Sequence, residues 1–193
     1  MISHKKKFIL ITPPRTASNT IRYALEEYLD TSSEYANINH APIESYLVNF
    51  PNISDYKIYG TARDPWSRLL SYWCRFIKNE DSECDGPSCT MSFYEFITDN
   101  RSIDKMNRDI FNMFSVDNEL IVSKYINFNN LQDDFNSFCE DVDIVPFKLP
   151  LDSEVAFITG GKCSLKKNEY YSKELYEIVK KEYKNEIEYF KYV

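Results

Sequence analysis

Glycine is scarce in this chain, with 4 in 193 residues, and two of the four are adjacent, at Gly160 and Gly161. That argues against a dinucleotide fingerprint, which needs three spaced glycines, and excludes collagen-like and low-complexity architectures. Histidine is scarcer still: His4 and His40 are the whole supply. The five cysteines, Cys74, Cys84, Cys89, Cys139 and Cys163, form an odd set without a C-x-x-C pair. Zinc-type ligand spacing is missing, and no metal is expected. Reduced thiols are the simpler expectation, although Cys84 and Cys89 could close a small disulfide. Long apolar runs are missing too, none approaching the roughly 18 residues that cross a bilayer. Lys5-Lys6-Lys7 before Phe8-Ile9-Leu10-Ile11 only faintly imitates a signal peptide, because Pro13-Pro14 stands where a cleavage motif would follow. A soluble, cytoplasmic protein without a membrane partner is expected. Positive charge is in deficit, with 23 Lys and Arg against 30 Asp and Glu and a net charge of −7. A general nucleic-acid binder would need a broad basic surface, so nucleic acid is not an expected partner. Any anion this chain holds must be met by locally concentrated cations.

What is there is ordinary globular material: 43% hydrophobic residues, 16% aromatic, and a length that suits a single domain over 1–193. Short apolar or β-branched runs alternate with helical patterns, the signature of βαβ units around a parallel sheet. Strands are expected at 8–12, 35–38, 57–62 and 120–128. Helices are expected at 18–29, from Pro42 to 48, 64–77, 93–97, 104–114 and 131–142, with one long charged helix over 172–192 acting as a packing element. Residues 79–90 read as an acidic loop. The ragged N-terminus is expected to include His4.

Two segments carry the chemistry, and each is a strand, a polar turn with an Arg, then a helix. In open parallel sheets, ligands bind at the carboxyl ends of strands. The first segment is Thr12-Pro13-Pro14-Arg15-Thr16-Ala17-Ser18-Asn19-Thr20, which offers small residues, hydroxyls and an amide around one fixed cation. It resembles a phosphate loop but lacks the G-x-x-x-x-G-K-[ST] spacing, which disfavours an ordinary ATP or GTP site. The second is Thr61-Ala62-Arg63-Asp64-Pro65-Trp66-Ser67-Arg68-Leu69-Leu70-Ser71. Arg63 can recognise a phosphate bidentately, and Ser71 two helical turns on can add a donor. For a lone Arg, a surface ion pair with Asp64 would be the better reading; the repeat of the arrangement in one frame disfavours it. Arg68 is expected to brace its helix against a carboxylate, and Lys162, Lys166 and Lys167 to be solvated or to close over a nucleotide phosphate.

Together these segments resemble the two nucleotide-binding signatures of sulfotransferases that use 3′-phosphoadenosine 5′-phosphosulfate (PAPS). Pro14-Arg15-Thr16-Ala17-Ser18-Asn19-Thr20 is similar to the 5′-phosphosulfate loop, and Arg63-Asp64-Pro65-x-x-Arg68-x-x-Ser71-x-Trp73 to the 3′-phosphate motif R-[DN]-P-x-x-R-x-x-S-x-[YF]. Asn129-Asn130-Leu131-Gln132-Asp133-Asp134-Phe135 resembles the family's E-[DN]-L-x-x-D-[FP] helix start. Tyr170-Tyr171-Ser172-Lys173-Glu174-Leu175 and Tyr189-Phe190-Lys191-Tyr192 resemble the ending of the heparan sulfate 2-O type. The resemblance implies a P-loop-like three-layer α/β/α fold with a central parallel sheet of about four to five strands. It implies metal-independent transfer of a sulfuryl group from PAPS to an acceptor hydroxyl, leaving PAP. Arg15, Thr16, Ala17, Ser18, Asn19, Thr20, Arg63 and Ser71 would bind the nucleotide, with Arg15 also stabilising the leaving phosphate. His40 is the candidate base, since the 2-O type uses a His in a comparable stretch; a capping His, with Glu or Asp as the base, is the alternative. Arg15 replaces the family's usual Lys, Ala17 its Gly and Asn129 its acidic residue. Ala17 is cheap at negative φ and strained at positive φ, the second case marking a loop that departs from its relatives. Two other readings stand beside this one: a nucleotide or small-molecule kinase with an atypical phosphate loop, and a catalytically inactive module that binds PAP or PAPS. The acceptor is expected to be a small molecule or a terminal hydroxyl.

Overall fold

The computed structural model describes residues 1–30, 40–50, 52–76, 91–99, 110–122, 124–150 and 166–192. In chain order the strands are β1 (Ile2–Ser3), β2 (Phe8–Ile11), β3 (Lys57–Ala62), β4 (Ser115–Val116), β5 (Glu119–Leu120) and β6 (Lys124–Asn127). The helices are α1 (Ser18–Ala24), α2 (Ile43–Asn49), α3 (Pro65–Phe76), α4 (Phe93–Thr98), α5 (Ile110–Phe114), α6 (Leu131–Asp141), α7 (Lys167–Tyr170), α8 (Lys173–Glu182) and α9 (Lys184–Phe190). The chain divides into two compact units, one of Met1–Arg63 with Ile110–Val155 and one of Asp64–Asp109 with Ala156–Val193.

The first unit is mixed α/β. Its sheet has the order β1-β2-β3-β6, with β1 antiparallel at the edge and β2, β3 and β6 mutually parallel. Phe8, Ile9, Leu10 and Ile11 are all fully buried, as a parallel strand covered on both faces requires. One face packs Phe8, Leu10, Tyr59 and Ile126 against Ile21 of α1, Leu25 just after it, and Phe135 and Phe138 of α6. Gly60, next along β3 and so turned to the other face, lets the ring of Phe114 in α5 come close: a Cβ there would lie 2.7 Å from it.

Several expected boundaries move for identifiable reasons. The helix expected over 18–29 stops at Ala24, and a 3-10 turn, Glu26–Tyr28, follows. That turn brings the Tyr28 carbonyl to the Ser3 hydroxyl and the Asp30 amide to the Ile2 carbonyl, so the chain leaves the helix to meet β1. The N-terminus is correspondingly ordered: His4 donates its backbone N–H to Asp30, and its ring Nδ1 contacts the Tyr56 hydroxyl at 2.5 Å. Instead of one strand region over 120–128, Glu119–Leu120 folds back on Ser115–Val116, and only Lys124–Asn127 enters the sheet. Asp117 and Asn118 make that hairpin turn with φ of 50° and 65°, the left-handed pair of a type I′ turn. The strand expected at 35–38, the loop at 79–90 and residues 104–109 of the expected helix lie outside the described residues; Ile110–Phe114 is helical.

The second unit is helical in its described part. Asp64 accepts from the Ser67 amide at 2.9 Å and caps α3, and Pro65 occupies the first helical position. Trp66, Leu69, Leu70 and Trp73 form the apolar stripe that packs against Phe93, Phe96, Leu175 and Val179. The expected C-terminal helix is two helices, interrupted at Tyr183. The interruption lets Tyr183 present its ring to the Arg68 guanidinium, 5.4 Å from the centroid, while Glu186 reaches Arg68 at 2.7 Å. Arg68 therefore has the carboxylate brace expected of it. Both partners are buried, so this pair fixes register more than it adds stability. Among the described residues no helix is long and apolar enough to cross a membrane.

Candidate functional site

The parallel register decides what meets at the end of the sheet. Ile11, the last residue of β2, pairs with Gly60, so Thr61 and Ala62 of β3, and Arg63 just after it, lie beyond that pairing, where the loop leaves β2. Four contacts then tie that loop in place. The Thr16 hydroxyl donates to the Pro13 carbonyl at 2.7 Å, and it lies 2.5 Å from the Thr61 hydroxyl. A hydroxyl has one proton. Thr16 gives its proton to Pro13, so Thr61 is the donor between the two hydroxyls. Arg63 donates from Nη1 to the Arg15 carbonyl at 3.1 Å. His40 contributes the fourth contact, from ring Nδ1 to the Thr12 carbonyl at 2.6 Å.

The backbone of the loop is unusual. Arg15 and Ala17 have φ of 66° and 67°, with Thr16 between them at negative φ. Neither is glycine, and each costs about 1–2 kcal/mol in this region. Alternation of this kind turns successive N–H groups toward one side and forms a concavity that suits an anion. Ala17 is thus the strained case: the loop takes a glycine's conformation without the glycine. His40 is also left-handed, at φ 58°. The remaining left-handed residues, Lys7, Asp117, Asn118, Asp143 and Lys191, belong to turns and helix ends.

Charge and orientation follow from the same contacts. The Arg63 guanidinium lies over the Phe128 ring, 3.8 Å from its centroid, so a carbonyl and a ring face orient it together. A carbonyl only accepts, so the contact to Thr12 fixes the proton of neutral His40 on Nδ1 and leaves the lone pair on Nε2.

The first unit therefore brings together Arg15, Thr16, Ala17, Arg63 and His40. Ser18, Asn19 and Thr20 form the first turn of α1, with Ser18 buried and Asn19 exposed. Thr16 is fully buried and its hydroxyl is engaged within the loop, so the side chain expected to meet a nucleotide is turned inward. Ser71 belongs to the second unit, where it is buried in α3. Lys167 lies in that unit too, 3.3 Å from the Asp64 carboxylate, whereas Lys162 is outside the described residues. Thr61 and Phe128 went unassigned in the sequence reading. The signal for Thr61 was available, since it stands between Gly60 and Arg63 at a strand end; Phe128 had none, because its role depends on where α6 begins. Among the described residues no group of three or more His, Cys, Asp or Glu is placed to hold a metal ion. Burial pushes the Cys139 thiol up to about 12, which removes it as a nucleophile. Set against protein-family models, curated proteins and solved structures, the chain matches none of them.

Proposed function

We propose that the chain is a sulfotransferase whose first unit holds the phosphosulfate end of PAPS at the 12–17 loop. The observation that carries this reading is the alternating backbone at Arg15, Thr16 and Ala17, braced by Arg63 through the Arg15 carbonyl. Such a loop offers N–H groups and Arg15 to the phosphosulfate, on a chain whose net charge is −7, and leaves Arg63 beside it for a second anionic group. With this reading goes the finer fold expectation, a P-loop-like three-layer arrangement around the mostly parallel sheet.

PAPS, when bound, supplies the sulfuryl group and a phosphate leaving group. The residues of the chain do the rest. His40 Nε2 takes the proton of the acceptor hydroxyl as its oxygen forms a bond to sulfur. The bond from sulfur to the bridging oxygen breaks, and its electron pair stays on the 5′-phosphate of PAP. Arg15 and the loop N–H groups stabilise that oxygen's charge as it develops. Arg cannot give up a proton at neutral pH as a Lys can, so this stabilisation is electrostatic. Arg63 meets the 3′-phosphate, the group that distinguishes PAP from ADP.

Calorimetry with PAP, ADP and ATP tests the reading. PAP should bind more tightly than ADP, and Arg63→Ala should weaken PAP by at least about 10–150-fold, the loss of one charge-assisted hydrogen bond. Equal affinity for ADP and PAP overturns it. A requirement for ATP with Mg²⁺ would favour the kinase reading, and PAP binding without transfer from labelled PAPS to any acceptor would favour an inactive module.

A further inference from the structure

We infer that Thr61 is a positioning residue for the anion loop: its hydroxyl, acting through Thr16, holds residues 15–17 in their alternating left-handed conformation. The inference rests on the reading of that loop as an anion cradle, but its main test does not. The Thr61 side chain is fully buried at the end of β3, as is that of Thr16. The proton count fixes the direction of the chain of bonds: Thr61 donates to Thr16, and Thr16 donates to the Pro13 carbonyl. Pro13 precedes the left-handed pair and Thr16 lies within it, so the two bonds close the loop on itself and tie it to a rigid strand. Arg63, two residues along the same strand, grips the loop at the Arg15 carbonyl. Two anchors from one strand end therefore hold a backbone that two non-glycine residues at positive φ would otherwise relax. Arg63 would touch the ligand itself; Thr61 would not, and acts only through Thr16.

Thr61→Val removes the hydroxyl at nearly constant volume and leaves the Thr16 proton satisfied by Pro13, so no buried donor is orphaned. Thr61→Ser keeps the hydroxyl. Amide hydrogen exchange should rise about tenfold at residues 15–18 in Thr61→Val, with β2 amides unchanged, and should return to the wild-type pattern in Thr61→Ser. PAP affinity should fall about tenfold in the Val variant and recover in the Ser variant. Unchanged loop exchange in Thr61→Val overturns the inference. So does a rise shared equally by β2, which would mark a merely structural residue, or a Ser variant that behaves like Val. If Thr61→Val fails to fold, Thr61→Ala decides, since it too removes the Thr61 hydroxyl and leaves the Thr16–Pro13 bond: a loop-confined rise supports the inference, and a wild-type loop overturns it. If the wild type binds no PAP, the functional reading fails, while the exchange pattern still decides the role of Thr61.

Discussion

The two ends of strand β3 use positive charge in opposite ways. At its start, Lys57 meets the Asp141 carboxylate at 3.2 Å, Lys124 of β6 meets the same carboxylate at 2.6 Å, and the Tyr59 hydroxyl donates to it. Both lysines are about half exposed, at 49% and 56%. Here the two cations share one carboxylate, and water screens what remains. At its finish, Arg63 meets a carbonyl and a ring face, and Thr61 is buried in a hydroxyl pair. The backbone differs as well. Around the start, the left-handed Lys7 and Asp143 lie in turns; around the finish, Arg15, Ala17 and His40 are left-handed where the chain passes the end of β2. A cluster that shares one carboxylate between two lysines holds strands together. The end that sets Arg63 against a carbonyl and a ring face, beside a strained loop, is the one the proposed function assigns to the anion.

The sharpest way to break this contrast is at His40. His40→Ala should lower sulfuryl transfer from labelled PAPS by about 10²–10⁴-fold, the usual contribution of a positioned base. PAP affinity should fall far less than turnover, because the ring's contact to the Thr12 carbonyl braces the start of the loop and a base acts on the acceptor. An active variant would return His40 to a loop-bracing role and weaken the case that this end of the strand is a reaction site. An effect on PAP affinity alone would do the same.

Much of the frame behind this comparison was legible beforehand. Four fully buried apolar residues at Phe8–Ile11 read as an inner parallel strand, β3 falls on the expected 57–62, and Asp64-Pro65 marks the start of α3 by its own cap. Those features are local, and local chemistry decides them. The features that were not legible depend on contacts distant in sequence. Tyr183 interrupts the C-terminal helix because Arg68, far away in the chain, draws in both Tyr183 and Glu186. The orientation of His40 depends on a carbonyl 28 residues earlier. Thr61 acquires its role only from the register that pairs Ile11 with Gly60. The Asp117-Asn118 turn is the exception: it is a local hairpin signal that the sequence reading passed over.

A smaller effect sharpens the contrast from the loop side. Ala17→Gly should raise unfolding stability by about 0.5–1 kcal/mol in urea, the relief of positive φ less the greater chain entropy of glycine. If the strain serves binding, the same change should loosen the cradle, so that stability rises while PAP affinity falls by a few-fold. A gain in both would show that the left-handed alanine is strain without a use. A loss of stability would mean that the Ala17 methyl, packed against the core cluster of the first unit, outweighs its backbone.

The smallest effect belongs to the other end of the strand, and its sign follows from linkage. Hydrogen bonds from Lys124 first, then from Tyr59 and Lys57, hold the Asp141 carboxyl well below its ordinary value of 3.8, against the opposing pull of burial. A carboxyl lowered on folding contributes stability that is fully present above its unfolded value and is lost as pH falls through the folded one. Asp141→Asn should therefore destabilise by about 0.5–1 kcal/mol at pH 7, a figure kept small because the pair partners are half exposed. The difference from wild type should narrow below about pH 4 and close only in stronger acid. Added salt should narrow it at pH 7, since screened surface pairs are what is being removed. Urea titrations at pH 7, 4 and 3 would measure it. A gap that ignores both pH and salt would mean that Asp141 acts through packing rather than charge, and the start of β3 would then no longer be the charge-paired end.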